Sequence, residues 1–210
     1  MKLSYAVTVC NEEAELQNLL YHLLKFKKPQ DEIVILFDSK NGTKGVEDYL
    51  RSHSVTADAG FTWHSGAFDG HFADWKNRLN TLCTGDFIFQ IDADEYVTGE
   101  CIELLHEILE ANPEVDLYYI PRINTVSGIT QEHIQRWGWR VDNNRVNWPD
   151  YQTRLYRNSS DIKWRNKVHE VIEGYKQFTV LPAVDELALI HHKTIERQEK
   201  QNNYYNTLSL

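Results

Sequence analysis

Two aspartates two residues apart, Asp92-Ala93-Asp94, follow directly on a nearly unbroken apolar run, Asp86–Ile91 (DFIFQI). Carboxylates at that spacing on a tight turn point into one space, and ligands of open α/β sheets bind outside the carboxyl ends of the strands. Hard oxygen ligands suit Mg²⁺ or Mn²⁺, ions able to bridge two phosphates of a substrate. An acidic helix cap is the competing reading. Asp38, closing another apolar run, Glu32–Phe37 (EIVILF), would lie at the same edge. There it would accept hydrogen bonds from a ribose or a base, or else close an Asx turn over Asn41-Gly42. His191-His192 follows a third apolar segment. A neutral imidazole from this pair could complete a metal site with Asp94, or both could be ordinary strand-end histidines. Lys167-Val168-His169-Glu170 offers Glu170 as a general base, with Asp150 of Trp148-Pro149-Asp150-Tyr151 as the rival carboxylate. Trp137, Trp139, Trp148 and Trp164 share this half of the chain, where they either stack on sugar rings or fill a small core.

The elements that must position these groups alternate strand and helix over about the first 110 residues, the spacing of βαβ units. Strands are predicted at Leu3–Val9, Glu32–Phe37, Gly60–His64 and Asp86–Ile91. Helices are predicted at 12–26, where Leu16, Leu19, Leu20, Leu23 and Leu24 form one stripe, at about 44–52, at 70–83 with Phe72, Trp75, Leu79 and Leu82 on one face, and from Thr98 or Gly99 to about 110. The remainder is rich in Trp, Tyr, Arg and Asn, with short strands at Leu117–Pro121, Gln152–Arg157, Phe178–Leu181 and Leu187–Ile190 and a polar helix over 194–208. No repeat, linker or low-complexity segment interrupts the chain. One domain over 1–210 is therefore expected, with a nucleotide-binding half to about 110 and an acceptor-facing half beyond.

Composition narrows the function classes. At 210 residues, 41% hydrophobic and 25% charged, the chain is globular in profile. A net charge of −9 argues against a nucleic-acid partner. The local basic run Arg154, Arg157, Lys163, Arg165 and Lys167 either faces a phosphate or is a solvated strand face. Three widely spaced cysteines, Cys10, Cys83 and Cys101, make neither a disulfide framework nor a thiolate zinc site, which points to a reducing, cytoplasmic setting. The N-terminal apolar stretch is too short for a signal peptide or a membrane span and reads as a first strand, so a membrane-borne acceptor would be met from the periphery. Oligomeric state is not encoded in any legible signal; a monomer is compatible with the sequence.

Taken in order, the pieces resemble the GT-A glycosyltransferases and, within them, family 2, nearest to the branch of lipopolysaccharide-core glucosyltransferases of the WaaE type. Val9-Cys10-Asn11-Glu12-Glu13 resembles that family's opening strand and turn, Asp38-Ser39 its second-strand turn, and Ala73–Leu79 (ADWKNRL) the helix before its metal strand. Gly85–Glu95 (GDFIFQIDADE) is similar to the family's acidic block, Arg154-Leu155-Tyr156-Arg157 with Val168-His169-Glu170 to its "RLFR…VHE" pattern, and Ile190-His191 with Lys200 and Tyr204 to its closing segment. The resemblance implies a Rossmann-like α/β domain with a central, mostly parallel sheet flanked by helices and a small acceptor-side half. It implies metal-dependent, inverting transfer of a hexose from a UDP-sugar, UDP-glucose or similar, to a hydroxyl of a glycan or glycolipid. Thr8, Cys10, Glu13 and Asp38 would line the uridine pocket, and Lys76, Asp92, Ala93 and Arg154 would meet the rest of the donor. Asp94 would hold Mn²⁺ or Mg²⁺ with His191, and Glu170 would be the base. Two departures stand out. Ser39–Thr43 (SKNGT) replaces the usual Gly-Ser-Thr-Asp loop, and His192 replaces an aromatic, which leaves both histidines as candidate ligands. The length also implies no extended acceptor domain. The competing functions are a nucleotidyltransferase, disfavoured by the acidic rather than glycine-rich, basic turn at Cys10–Glu13, and a nucleotide-sugar- or carbohydrate-binding module without catalysis.

Overall fold

The computed structural model describes residues 1–54 and 60–208, the last four of these by backbone alone. Its first half winds as β1 (Leu3–Val9), α1 (Glu13–Phe26), β2 (Glu32–Asp38), α2 (Lys44–His53), β3 (Thr62–Gly66), α3 (Phe72–Asn80), β4 (Phe87–Asp92), β5 (Glu95–Tyr96) and α4 (Gly99–Ala111). Then come β6 (Leu117–Ser127), α5 (Gln131–Trp137), β7 (Val141–Asp142), β8 (Arg145–Arg157), β9 (Lys163–Arg165), β10 (Val171–Glu173), β11 (Phe178–Val180), a 3₁₀ turn at Asp185–Leu187, β12 (Leu189–Thr194) and α6 (Ile195–Leu208). One ten-stranded sheet runs through both halves in the order β3-β2-β1-β4-β8-β6-β12-β5, with β11 beside β6 and β7 beside β8; β9 and β10 form a separate hairpin.

β3, β2, β1 and β4 are parallel, and their side chains are buried on both faces in β1, β2 and β4, which is why those strands read as continuous apolar runs. α1 and α4 pack on one face through Leu16, Leu19, Leu20, Leu23, Ile102, Leu105 and Leu109, and α3 packs on the other through Ala73, Trp75 and Leu79. Leu24 belongs to the expected stripe by spacing yet is 41% exposed, because four leucines already fill the width that the sheet covers.

The differences from the sequence expectation have local causes. β3 lies two residues later, because pairing with β2 places Thr62 opposite Val34 and Gly66 opposite Asp38. α3 is shorter at both ends: the His71 imidazole accepts from the Asp74 N–H as an N-cap, and Leu82 and Cys83 tighten into i→i+3 bonds. β6 continues past Pro121, a residue that ordinarily ends a central strand. The ladder with β8 survives through an irregularity at Arg122/Asn124 and extends both strands well beyond their predicted lengths. α5 buries no residue and so carries no apolar periodicity; its capping box (Thr130 with His133) and left-handed Gly138 define it instead.

Candidate active site

The carboxyl ends of β1, β2 and β4 form one rim, since Thr8 is in register with both Leu36 and Asp92. A cleft of about 1180 Å³ opens there, and Phe68, Phe72, Trp75, Trp139, Val146 and residues of α6 are among those that line it. Thr8, Cys10, Asp38, Ala93 and Asp92 all line it. Thr8 donates its hydroxyl to Asp92 Oδ1 at 3.0 Å. Asp38 is buried and fully engaged: Oδ1 accepts from the backbone of Lys40 and Phe68, and Oδ2 from the Asn41 amide. It closes the β2–α2 loop as an Asx turn while facing the cleft. That loop passes so close to Phe37 and the Asp38 carbonyl that a side chain at Gly42 would collide with both. Glu13 lies elsewhere, exposed in the first turn of α1 with its carboxylate against Gly45 of α2. The neighbouring Glu12 turns into the cleft instead, accepting from the Cys10 and Asn11 N–H groups.

β12 runs parallel to β6 and antiparallel to β5, with His191 opposite both Asn124 and Glu95. That register sets His191 Nε2 3.2 Å from Asp94 Oδ2. Strand alternation sends His192 to the other face, where it is exposed and bonds Thr125 and Ser127. The structure thus separates His192 from Asp94. The Asn124 amide donates to Asp150 at 2.7 Å, so its oxygen is the atom facing His191 Nδ1 at 2.9 Å. In the neutral ring Nδ1 then carries the proton, and the Nε2 lone pair faces a carboxylate. Two electron-pair donors aimed at one another, with the imidazole oriented by a second-shell amide, fit a divalent cation. Among the described residues no group of three His, Cys, Asp or Glu side chains that could hold a metal ion is assembled. Burial raises the Asp94 carboxyl, but the charged form of His191, donating from Nε2, and the Lys193 charge outweigh it and hold the group below its ordinary range. Arg197 of α6 also reaches Asp94 Oδ2, at 3.4 Å.

Across the cleft Glu170 follows His169, whose backbone is left-handed (φ +53°), and pairs through Oε1 with the buried Lys76 of α3. The Lys76 ammonium sits 4.3 Å above the Trp164 ring. Its burial, reinforced by Arg154, lowers its pKa against the opposing pull of Asp92 and Glu170. Asp150 is more heavily tied: Oδ1 accepts from Gln152, and Oδ2 from Arg122 and Asn124. Arg154 reaches Asp92 Oδ2 at 2.6 Å from β8. Burial pushes the Asp92 carboxyl up; Arg154 first and Lys76 second more than reverse this. The basic run resolves into separate roles, with Arg154 buried in the site, Arg157 paired with Asp116, and Lys163 and Arg165 exposed on β9. The tryptophans part as well: Trp164 is core and borders the cleft, Trp139 lines the cleft with Trp137 packed on it at 4.6 Å, and Trp148 lies under Arg145.

Residues 4–178 match the sequence model of glycosyl transferase family 2. The chain belongs to that family. Its structure is similar to that of S. aureus TarS residues 1–349, with a TM-score of 0.64 and 18% identity over 92% of this chain and 60% of that one. The complex of the same TarS segment with UDP-GlcNAc superposes equally well, at 0.64 and 18% identity over 92% of this chain and 58% of that one. Mannosyltransferase PcManGT from Pyrobaculum calidifontis, in complex with GDP-Man and Mn²⁺, is similar at a TM-score of 0.50 and 17% identity over 65% of this chain and 46% of that one. At these identities the likeness establishes the fold, and this family 2 chain spans about 60% of the TarS segment's length. A search of curated proteins by sequence finds no match. Glu12, Glu95, Arg122, Asn124, Lys193 and Arg197 complete the site of this family 2 member without having been foreseen. Glu12 and Glu95 carried local signals, within the turn after β1 and as the last residue of the acidic block; the others arrive from distant strands and α6.

Proposed function

We propose that the protein transfers a hexosyl group from a UDP-sugar to a hydroxyl of a glycan or glycolipid, inverting the anomeric configuration, with Mn²⁺ or Mg²⁺ held by Asp94 and His191. The observation carrying this reading is the convergence of Asp92, Asp94 and His191 at one end of a cleft whose far wall presents Glu170. The family assignment supports sugar transfer. The TarS complex with UDP-GlcNAc and the sequence resemblance support a UDP-sugar, and the resemblance favours glucose.

Thr8, Cys10 and the Asp38–Asn41 turn form a polar slot at the rim for the nucleoside, and Asp92, fixed by Thr8 and Arg154, faces the donor beyond it. When bound, the ion supplies Lewis-acid stabilisation of charge on the departing diphosphate. Lys193 and Arg197 bring further positive charge to that end of the cleft. Lys76 anchors the Glu170 carboxylate, which takes the proton of the acceptor hydroxyl as its oxygen bonds to the anomeric carbon. The bond from that carbon to the phosphate oxygen breaks on the opposite face, its electron pair leaving with UDP. Trp139, Trp75 and Phe72 offer ring faces to the acceptor. Among the described residues no helix is long and apolar enough to cross a membrane. The test is incubation with UDP-glucose, UDP-galactose, UDP-GlcNAc and UDP-glucuronic acid, each with and without Mn²⁺. UDP release from one of them, dependent on the cation, is the expected result; absence of release and of UDP binding throughout would overturn the assignment.

A further inference from the structure

Beneath the cleft floor Glu95 is buried to 1% exposure and makes three contacts of different origin. Its Oε1 accepts from Arg154 Nη2 at 3.0 Å and from Arg122 Nη1 at 2.8 Å, and its Oε2 accepts from the Asp92 backbone N–H at 3.1 Å. Arg154 Nη2 continues to Asp92 Oδ2 at 2.6 Å. Arg122 continues to Asp150 Oδ2 through Nε at 3.0 Å and Nη2 at 2.7 Å. Among the described residues, the chain of ion pairs from Asp92 on the donor side to Asp150 on the acceptor side therefore passes through this one carboxylate.

We propose that Glu95 is a positioning residue that locks the donor-side and acceptor-side carboxylates of the cleft into a single arrangement through its two arginines. Arg154 depends on it strongly. Among the described residues the Nε and Nη1 atoms of that guanidinium are buried without hydrogen-bond partners, so its orientation rests on the contacts of Nη2 with Asp92 and Glu95. The Arg122 contact comes from a separate strand, β6. Removing the Glu95 charge would leave two guanidinium groups facing each other in a poorly solvated space, where an unpaired charge is costly. A neutral glutamine has the same shape but a single acceptor oxygen. It serves either the two arginines or the Asp92 N–H, and sets an NH₂ group against the other. An aspartate is one methylene too short to span all three.

The proposal rests on the functional reading above, in which Asp92 faces the donor, and adds to it that Asp150, which lines the same cleft, braces the acceptor side; the test separates the two. Calorimetric UDP affinity in the presence of Mn²⁺ reads the donor side. The kcat of UDP-glucose hydrolysis, with water as acceptor, reads the acceptor side. Arg154→Gln is expected to weaken UDP binding about tenfold, the loss of one charge-assisted contact. Arg122→Gln should lower kcat about tenfold with UDP affinity unchanged. Glu95→Gln should do both, and adding Arg122→Gln to it should lower kcat less than about twofold further, because the two changes act along one path. Wild-type UDP affinity and kcat in Glu95→Gln, or losses that multiply fully in the double variant, would overturn the proposal. A lowered Tm with neither parameter changed would do the same, showing a structural brace only. Should Glu95→Gln fail to fold by circular dichroism, the half-buried Arg122 decides: an unchanged kcat in Arg122→Gln overturns the link. A wild-type protein that neither binds UDP nor hydrolyses UDP-glucose would instead indict the functional reading itself.

Discussion

Glu170 and Asp150 are both carboxylates on the cleft wall, and what distinguishes them is the company each keeps. Asp150 has both oxygens engaged by Arg122, Asn124 and Gln152, which makes it part of the scaffold; Glu170 is held through one oxygen by Lys76. Glu170→Gln is therefore expected to lower the rate of transfer by about 10²–10⁴-fold, the range for loss of a general base, while UDP binding stays near wild type. Asp150→Asn should cost far less, and the reverse ranking in a side-by-side kinetic comparison would reassign the base. At the other end, Asp94→Ala removes one of the two proposed ligands. We expect Mn²⁺ affinity to fall at least about tenfold, on the scale of losing even an outer-shell partner, as read by Mn²⁺ titration without nucleotide. His192→Ala, on the opposite face of β12, should leave that titration unchanged.

Among the elements, α6 is tied to the rest of the molecule by polar links more than by packing. Arg197 bonds Glu15 at 2.8 Å and Glu12 at 3.2 Å, Lys193 bonds Gln201, and Glu199 stands 3.5 Å from Arg136. Partly exposed ion pairs contribute at most about 1 kcal/mol each and weaken with salt. Arg197→Ala should accordingly speed amide exchange several-fold across Ile195–Leu208 and leave β1 and β4 unaffected, and high salt should reproduce part of that change in the wild type. Exchange in α6 that responds to neither would mean the helix is held by something other than these charges. The burial of β1, β2 and β4 on both faces gives the opposite case: these strands cannot move without opening the core, so the rim they end in is a rigid platform for Thr8, Asp38 and Asp92.

At the scale of the whole molecule, the end of the sheet opposite the cleft is fastened by Glu32. Its carboxylate accepts from Lys2, from Ser4 of β1 and from Thr84 ahead of β4, joining three central strands. Burial raises its pKa, but these hydrogen bonds, Lys2 first, lower it from the ordinary 4.5 to about 2. A carboxyl depressed in the folded state stabilises fully above its unfolded value and loses that contribution as pH falls toward its folded one. The Tm should therefore decline between about pH 4.5 and about pH 2. Glu32→Gln should make that decline shallower and lower the Tm at neutral pH by about 2–4 °C, corresponding to roughly 1 kcal/mol once partial exposure is allowed for. A variant with the wild-type acid slope would show that other carboxyls control it.

The amino-acid sequence by itself determined the βαβ half, because a strand buried on both faces must be apolar throughout and a one-sided helix must repeat its leucines at helical spacing. It determined the acidic rim too, since Asp38, Asp92 and Asp94 each stand where an apolar run ends. Only the tertiary structure decided between His191 and His192 as the neighbour of Asp94, because strand alternation separates them and the register of β12 against β6 and β5 selects the face. It likewise turned Glu12 rather than Glu13 into the cleft and extended β6 and β8 past the proline that should have ended one of them. Arg122, Asn124 and Arg197 were invisible in the chain for the same reason: their roles come from contacts between residues far apart in sequence, and no local pattern records those.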